Sequence, residues 1–155
     1  MPRRERTASH ANAPEARKPS ADPALICAVT LRSVRVLAWV PAFAIAALIW
    51  VLSDTPDLAI AHGWLDTVTR KAAHIGVFGL LAAACVLALR RWPLNAAPSL
   101  VAGALIALAY AAVDEIHQTS VPTRHGTPVD VAIDAIGIGV AAMVLAMSFR
   151  RRGIA

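Results

Sequence analysis

The run DEIHQ at residues 114–118 places two carboxylates and an imidazole within little more than one helical turn. Carboxyl and imidazole groups are the side chains that most often exchange protons in enzymes. On a helix, Asp114, His117 and Gln118 share one face, whereas Glu115 lies about 100° around the axis. Together with His74, which precedes this run, we predict that Asp114, Glu115 and His117 are the catalytic candidates.

Cationic side chains and further acids stand near these residues in the sequence. Lys71 and Arg70 precede His74 by three and four positions, so on a helix both lie beside it. Pro122 and Gly126 predict a turn that folds Arg124 back over the carboxylates. We interpret Arg70 as an interfacial cation that extends towards water. The predicted substrate-binding residues are Lys71, Gln118, Arg124, Asp130 and Asp134.

The same charged residues have a second interpretation. They could form a buried ionic lattice that sets the geometry of a helix bundle without catalysis. The sequence leaves both interpretations open, and with them whether the protein is an enzyme. The chain contains no GxxxxGK, HExxH or GxSxG motif, and His117 and His125 are a poor zinc pair. We therefore predict no metal ligand and no cofactor.

These polar residues must be positioned by four long apolar runs, residues 36–52, 72–89, 94–113 and 131–149. As helices, runs of this length reach about 25 to 30 Å, which matches the hydrocarbon core of a bilayer. The composition agrees, because 57% of the residues are hydrophobic and 16% are charged. Continuous apolar runs also exclude a transmembrane β-barrel. The predicted fold class is all-α, an integral membrane four-helix bundle.

The sequence also predicts a separate N-terminal segment and the orientation of the chain in the membrane. Residues 1–33 are rich in Pro, Ala and Arg, which predicts a disordered basic leader before a four-span domain at residues 34–155. Most of the 15 lysines and arginines precede the first run, separate the second from the third, or follow the fourth. The positive-inside rule then predicts a multi-pass protein of the bacterial inner (plasma) membrane with both termini in the cytoplasm. With 5% aromatic residues and no basic stripe, nucleic-acid binding is not expected.

Further residues complete the pattern of the polar site, namely Ser53, Pro56, Gly79 and Gly137. Together with Lys71, His74, the DEIHQ run, Arg124 and Asp130, they resemble the VanZ-like family of small bacterial membrane proteins, named for a member associated with teicoplanin resistance. The resemblance covers roughly residues 53–141 and excludes the leader. Asp134 departs from it, since the family usually has an asparagine there, and this changes the charge of the site. The resemblance implies a four-helix membrane protein with a shared polar site.

From these residues we expect an outward-facing site that binds or processes the headgroup of a membrane lipid or a cell-wall precursor. Arginine and lysine would hold anionic oxygens, while His74 or His117 exchanges a proton and Asp114 or Glu115 fixes the imidazole tautomer. A link to glycopeptide resistance is part of this hypothesis. The alternative is a non-catalytic accessory or regulatory membrane protein. The sequence leaves the oligomeric state open.

Overall fold

The chain is all-helical wherever its structure is described. The computed structural model describes residues 23–55, 64–122, 124 and 126–154. Among these residues, four stretches are long and apolar enough to cross a membrane, Thr30–Ser53, Thr67–Leu89, Ala96–Gln118 and Pro128–Arg151. The predicted all-α membrane bundle is thereby confirmed. The helices are α1 (Pro23–Leu37), α2 (Val40–Ser53), α3 (Trp64–Leu89), α4 (Ala96–Gln118) and α5 (Pro128–Arg151).

The first span consists of two helices because of a proline. Pro41 has no amide hydrogen, and within a continuous helix its ring would clash with the carbonyl group four residues earlier, that of Leu37. Helix α1 ends at Leu37, and α2 begins at Val40. Between them the backbone tightens, with Trp39 N donating to Val36 O at 3.1 Å. The sequence pattern predicts one helix here, since the run is apolar on both sides of the proline.

Helix α1 begins upstream of the predicted boundary between the leader and the membrane domain. Its first residue is Pro23, and proline suits the first helical position because the amide hydrogen it lacks would have no partner there. Residues 24–29 are mostly apolar and can extend a helix without a break. The boundary expected near residue 33 therefore falls inside a helix. Residues 1–22 of the predicted leader lie outside the described residues.

Helix α3 packs against α2, α4 and α5. Its buried side chains include Phe78 and Cys85, and the facing positions on α4 are the small residues Ala107 and Ala111. In lipid, helices associate by close van der Waals packing, and small residues allow that close approach. The outer surface is apolar in turn, with exposed side chains such as Phe43, Leu80 and Leu105. The bundle thus presents hydrocarbon outward, as a protein surrounded by lipid must.

The two ends of the bundle differ in chemistry. One end joins the last turns of α2 and α4 to the first turns of α3 and α5, where most of the predicted site residues lie. The opposite end is basic and tied together by arginines. Arg35 Nε donates to the carbonyl of Arg91 at 3.2 Å, and Arg90 Nη2 donates to the carbonyl of Ile154 at 3.2 Å. The bundle is therefore polarised along its axis.

Candidate functional site

The site depends on a close crossing of α3 and α5. A Cβ atom added to Gly137 would overlap the carbonyl oxygen of Ile75, and one added to Gly79 would lie 2.9 Å from the carbonyl oxygen of Gly137. Only glycine permits this backbone approach. It brings His74, the neighbour of Ile75, to Asp134 one turn before Gly137. His74 Nδ1 and Asp134 Oδ1 are 3.2 Å apart, and Asp134 is fully buried.

One helical turn nearer the polar end, a second pair joins the same two helices. Lys71 Nζ donates to Asp130 Oδ1 at 3.1 Å. Thr127 holds the other oxygen of this carboxylate, donating from Oγ1 to Asp130 Oδ2 at 2.7 Å, and it caps α5 by accepting from Asp130 N at 3.2 Å. The sequence predictions omit Thr127. A threonine followed by proline and, three residues on, by an acid is the signal that indicates such a cap.

Glu115 ties the segment before α5 to α4. Its Oε2 accepts a hydrogen bond from Thr127 N at 2.9 Å. Gly126 packs directly on the backbone of Glu115, where any Cβ atom would overlap the carbonyl oxygen. The carboxylate of Glu115 is therefore held next to the first turn of α5, close to Asp130 and Asp134.

Asp114 belongs to a different group of side chains, between α2 and α4. Its Oδ2 accepts from Ser53 Oγ at 2.9 Å and from Gln118 Nε2 at 2.8 Å. Asp114 is fully buried, and within the described residues its Oδ1 has no hydrogen-bond partner. These contacts connect the ends of α2 and α4, so Asp114 holds helices together beside the cavity rather than lining it.

His117 points away from the other predicted site residues. Its ring stacks on Trp50 with the centroids 4.0 Å apart and the planes inclined by 18°. His117 Nε2 lies 3.3 Å from Asp54 Oδ1, without the alignment of a hydrogen bond. The structure therefore separates His117 from His74 and from the acids of α5.

Arg124 contacts backbone carbonyl groups instead of the carboxylates over which the sequence pattern places it. Its Nη2 donates to the carbonyls of Leu52 at 2.7 Å and Thr55 at 3.0 Å, and its Nε donates to Thr55 at 3.2 Å. Cations bind well at this position, because the last carbonyls of a helix lack intrahelical partners and carry partial negative charge. Burial lowers the pKa of the Arg124 guanidinium below its usual value, but an arginine remains protonated in proteins.

A polar cavity of about 400 Å³ lies between these groups. The cavity is lined by all the predicted binding residues and by His74 and Glu115, but not by Asp114 or His117. Arg70, interpreted from the sequence as an interfacial cation, also lines it. The lining residues are Thr67, Arg70, Lys71, His74, Glu115, Gln118, Arg124, Asp130, Ile133 and Asp134.

A second, largely apolar pocket of about 110 Å³ adjoins the cavity between α2 and α3. It shares Arg70, His74 and Arg124 with the polar cavity, and its other walls include Ile49, Leu52, Val77 and Phe78. The two spaces together present charged groups on one side and hydrocarbon on the other.

The arrangement supports three kinds of chemistry. The cations can bind anionic oxygens, and His74 can exchange a proton. Asp134, and not Asp114 or Glu115, is the carboxylate in contact with His74 and therefore the one able to set its tautomer. Finally, His74, Glu115 and Asp134 each offer one donor atom to a metal ion, all within 4.8 Å of one another. Sequence spacing gives no sign of this grouping, because the three residues come from three different helices.

Comparison with known proteins identifies the family of the chain. The VanZ/LLP1 family model matches residues 11–150, whereas no curated protein and no solved structure matches significantly. The match begins well before residue 53, so the family pattern extends into the segment that the sequence resemblance excludes. It spans nearly the entire chain and includes every residue of the cavity. The chain therefore belongs to the VanZ/LLP1 family.

Proposed function

We propose that this VanZ-like protein binds the phosphate-bearing headgroup of a membrane lipid or a lipid-linked cell-wall precursor in the polar cavity. The observation that carries the proposal is the composition of that cavity, in which Arg70, Lys71 and Arg124 lie around one space of about 400 Å³. This volume is in the range of small-molecule sites, about 300 to 1,000 Å³. Cationic donors at the end of a transmembrane bundle suit an anionic headgroup at the membrane surface.

Arg124 is the best-placed donor for such a headgroup. Two of its nitrogens are engaged by the carbonyls at the end of α2, which fixes the plane of the guanidinium. Within the described part of the chain, Nη1 donates to no protein acceptor, and Arg124 borders both the polar and the apolar space. A fixed guanidinium loses little conformational entropy when it binds an anionic oxygen.

The adjoining apolar pocket favours a lipid over a free anion. Its walls include Leu52, Val77 and Phe78, and it meets the polar cavity at Arg70, His74 and Arg124. A ligand with a charged headgroup and a hydrocarbon chain would bury both parts, whereas a free phosphate would leave this pocket without a matching group.

In the proposed topology both termini face the cytoplasm of a bacterial cell and the cavity faces outward across the inner membrane. The end opposite the cavity carries Arg90, Arg91, Arg150 and Arg151, and positive charge next to transmembrane helices is concentrated on the cytoplasmic side. His74, held by Asp134, is the residue that we assign to proton exchange in hydrolysis or transfer of the headgroup.

Arg124→Lys and Arg124→Ala test the proposal. The full chain in dodecyl maltoside would be titrated with phosphatidylglycerol and, separately, with a polyprenyl phosphate, and binding followed by native mass spectrometry. We expect both variants to lose at least about tenfold in affinity, because an ammonium cannot satisfy the two carbonyls and the phosphate through one planar fork. The two ligands distinguish a bulk lipid from a precursor carrier.

The matched control is Arg151→Lys, an exposed arginine at the other end of the bundle, which should bind like the unaltered protein. If neither phosphate binds, or Arg124→Lys binds normally, headgroup recognition by this guanidinium is excluded. Lipid composition, precursor composition and teicoplanin susceptibility of cells lacking the protein would then be compared with those of normal cells to connect binding with function.

A non-catalytic accessory role is the second candidate, and the contacts of Asp114 favour it. Asp114, Ser53 and Gln118 form a hydrogen-bonded group beside the cavity, and Lys71 and Asp130 pair with each other. Such contacts hold helices in register without chemistry. If His74→Gln and Glu115→Gln unfold as readily as Asp114→Ala, the lattice interpretation gains over the binding site.

A further inference from the structure

Three donor side chains from three helices converge at the inner end of the cavity. His74 comes from α3, Glu115 from α4 and Asp134 from α5, and one donor atom of each lies within 4.8 Å of the other two. His74 Nδ1 and Asp134 Oδ1 are 3.2 Å apart. Neighbouring ligands of a tetrahedral metal ion, bound at about 2.0 to 2.2 Å, lie about 3.3 to 3.6 Å from each other. Movement of about 1 Å would complete the coordination of all three.

Asp134 supplies an independent observation. Its side chain is fully buried, and Oδ2 has no hydrogen-bond partner among the described residues. A buried carboxylate oxygen without a partner loses its solvation with no compensation. Because Asp134 also lines the cavity, this unsatisfied oxygen points to a group that is bound there.

Two cations of the cavity, Lys71 and Arg124, do not meet this need. Lys71 is paired with Asp130, and the two bound nitrogens of Arg124 face the carbonyls of Leu52 and Thr55. In the described structure neither forms an ion pair with Asp134 or Glu115. Two carboxylates close together in a membrane protein require positive charge, and His74 is the side chain in contact with Asp134.

We propose that His74, Glu115 and Asp134 bind a divalent cation of the first transition row, with Zn²⁺ as its probe. One imidazole and two carboxylates suit such an ion, whereas Mg²⁺ and Ca²⁺ prefer sites made of oxygen alone. The hydrogen bond from Thr127 N to Glu115 Oε2 orients that carboxylate, as outer partners do for metal ligands.

Three protein ligands leave coordination positions open towards the cavity. There the ion can accept a phosphate oxygen of the headgroup and neutralise part of its charge. This role of the ion rests on the headgroup binding of the proposed function, and it replaces the proton exchange assigned there to His74, because a nitrogen bound to the ion cannot accept a proton. Binding of the ion itself does not rest on headgroup binding, because the three donors are arranged without a lipid.

The test measures metal and lipid separately. The full chain, purified with a peptide tag that lacks histidine, would be stripped with a chelator, dialysed against Zn²⁺ without added lipid and analysed for metal content. We expect about one ion per chain, and a Zn²⁺ affinity at least about tenfold lower in His74→Gln, Glu115→Gln and Asp134→Asn. His117→Gln is the matched control, because its ring stacks on Trp50 outside the cavity, and it should bind Zn²⁺ normally.

Substitution of the buried Asp134 can impair folding. A second measurement therefore uses the unaltered protein. Co²⁺ bound by one nitrogen and carboxylate oxygens in a site of low coordination number gives visible absorption bands, which Zn²⁺ should abolish by displacement. Absence of stoichiometric Zn²⁺ and of these bands overturns the metal site. Equal Zn²⁺ binding in His74→Gln and the unaltered protein does the same. If Zn²⁺ binds but neither phosphate ligand does, the metal site stands and headgroup binding fails.

Discussion

Asp114 and Asp134 have the same side chain and are both fully buried, yet their surroundings differ. Asp114 accepts one hydrogen bond from Ser53 of α2 and another from Gln118, one turn further along α4. Asp134 contacts His74 and lines the cavity. Each carboxylate has one oxygen without a hydrogen-bond partner among the described residues, but Asp114 does not line the cavity. The surrounding groups, rather than the degree of burial, therefore indicate that Asp114 has a structural role and that Asp134 is available to bind a ligand.

Asp114→Ala should lower the free energy of unfolding by about 2 to 3 kcal/mol, because it leaves the buried donors of Ser53 and Gln118 without their acceptor. Thermal or denaturant unfolding in detergent measures the loss. Asp54→Ala is the control, since its side chain is 64% exposed and its removal should change stability by less than about 0.5 kcal/mol. Equal stability of the two variants would contradict the part assigned to Asp114.

Helical spacing predicts some of the site and fails at His117 for a geometric reason. Lys71 and His74 lie beside Asp130 and Asp134 because a three-residue spacing on α3 faces a four-residue spacing on α5, each about one helical turn. From Asp114, Gln118 is displaced by about 40° around the helix and His117 by about 60° in the opposite direction. That difference turns His117 towards α2, where Trp50 provides a stacking surface. The position of α2 is a tertiary property that no local spacing encodes.

The crossing of α3 and α5 is likewise a tertiary property that the sequence pattern does not predict. A glycine at position 137 permits a close helix contact, which the structure has, but the sequence does not identify the partner helix. The partner is the backbone of α3 at Ile75 and Gly79. Likewise, turn residues predict a bend around Arg124, while the carbonyls that it binds depend on where α2 ends.

Gly137→Ala and Gly139→Ala form a matched pair on α5. The added methyl group at position 137 would overlap the Ile75 carbonyl, while the one at position 139 meets nothing within 4 Å. We expect Gly137→Ala to lose about 1 to 3 kcal/mol through overpacking, and Gly139→Ala to be neutral or to gain up to about 1 kcal/mol from helix propensity.

Melting temperatures in detergent separate the two alanine variants. Gly137→Ala should also weaken Zn²⁺ binding, because it pushes α5 and its Asp134 away from His74. Similar melting temperatures for both variants would show that the helices can separate at no cost, contrary to the crossing described.

One end of the bundle carries both acidic and basic side chains, and the opposite end is basic. The basic end includes Arg35, whose guanidinium lies over the ring of Trp92, and Arg90, which lies over Phe149. The four spans, their order and this asymmetry follow from the sequence, because lipid imposes run length and charge bias directly. Run length and charge bias do not predict the break between α1 and α2 at Pro41 or the start of α1 at Pro23, since one apolar run can form one helix or two.

Fusions of alkaline phosphatase, which is active only outside the cytoplasm, test the orientation of the bundle. A fusion at the C-terminus should be inactive and one after Trp64 active, because the basic end is retained in the cytoplasm. A cytoplasmic reporter such as green fluorescent protein at the same two positions should give the opposite pattern. Activity at the C-terminus alone would invert the bundle and turn the cavity inward.

The apolar pocket between α2 and α3 has a consequence for how occupancy responds to conditions. Because it meets the polar cavity at His74 and Arg124, a headgroup ligand would enter with its chain still in the hydrocarbon layer. Such a ligand has no appreciable concentration in free solution, so its chemical potential is set by its mole fraction in the leaflet. Occupancy should then fall when the membrane is enriched in neutral lipid, and stay constant when the whole vesicle suspension is diluted.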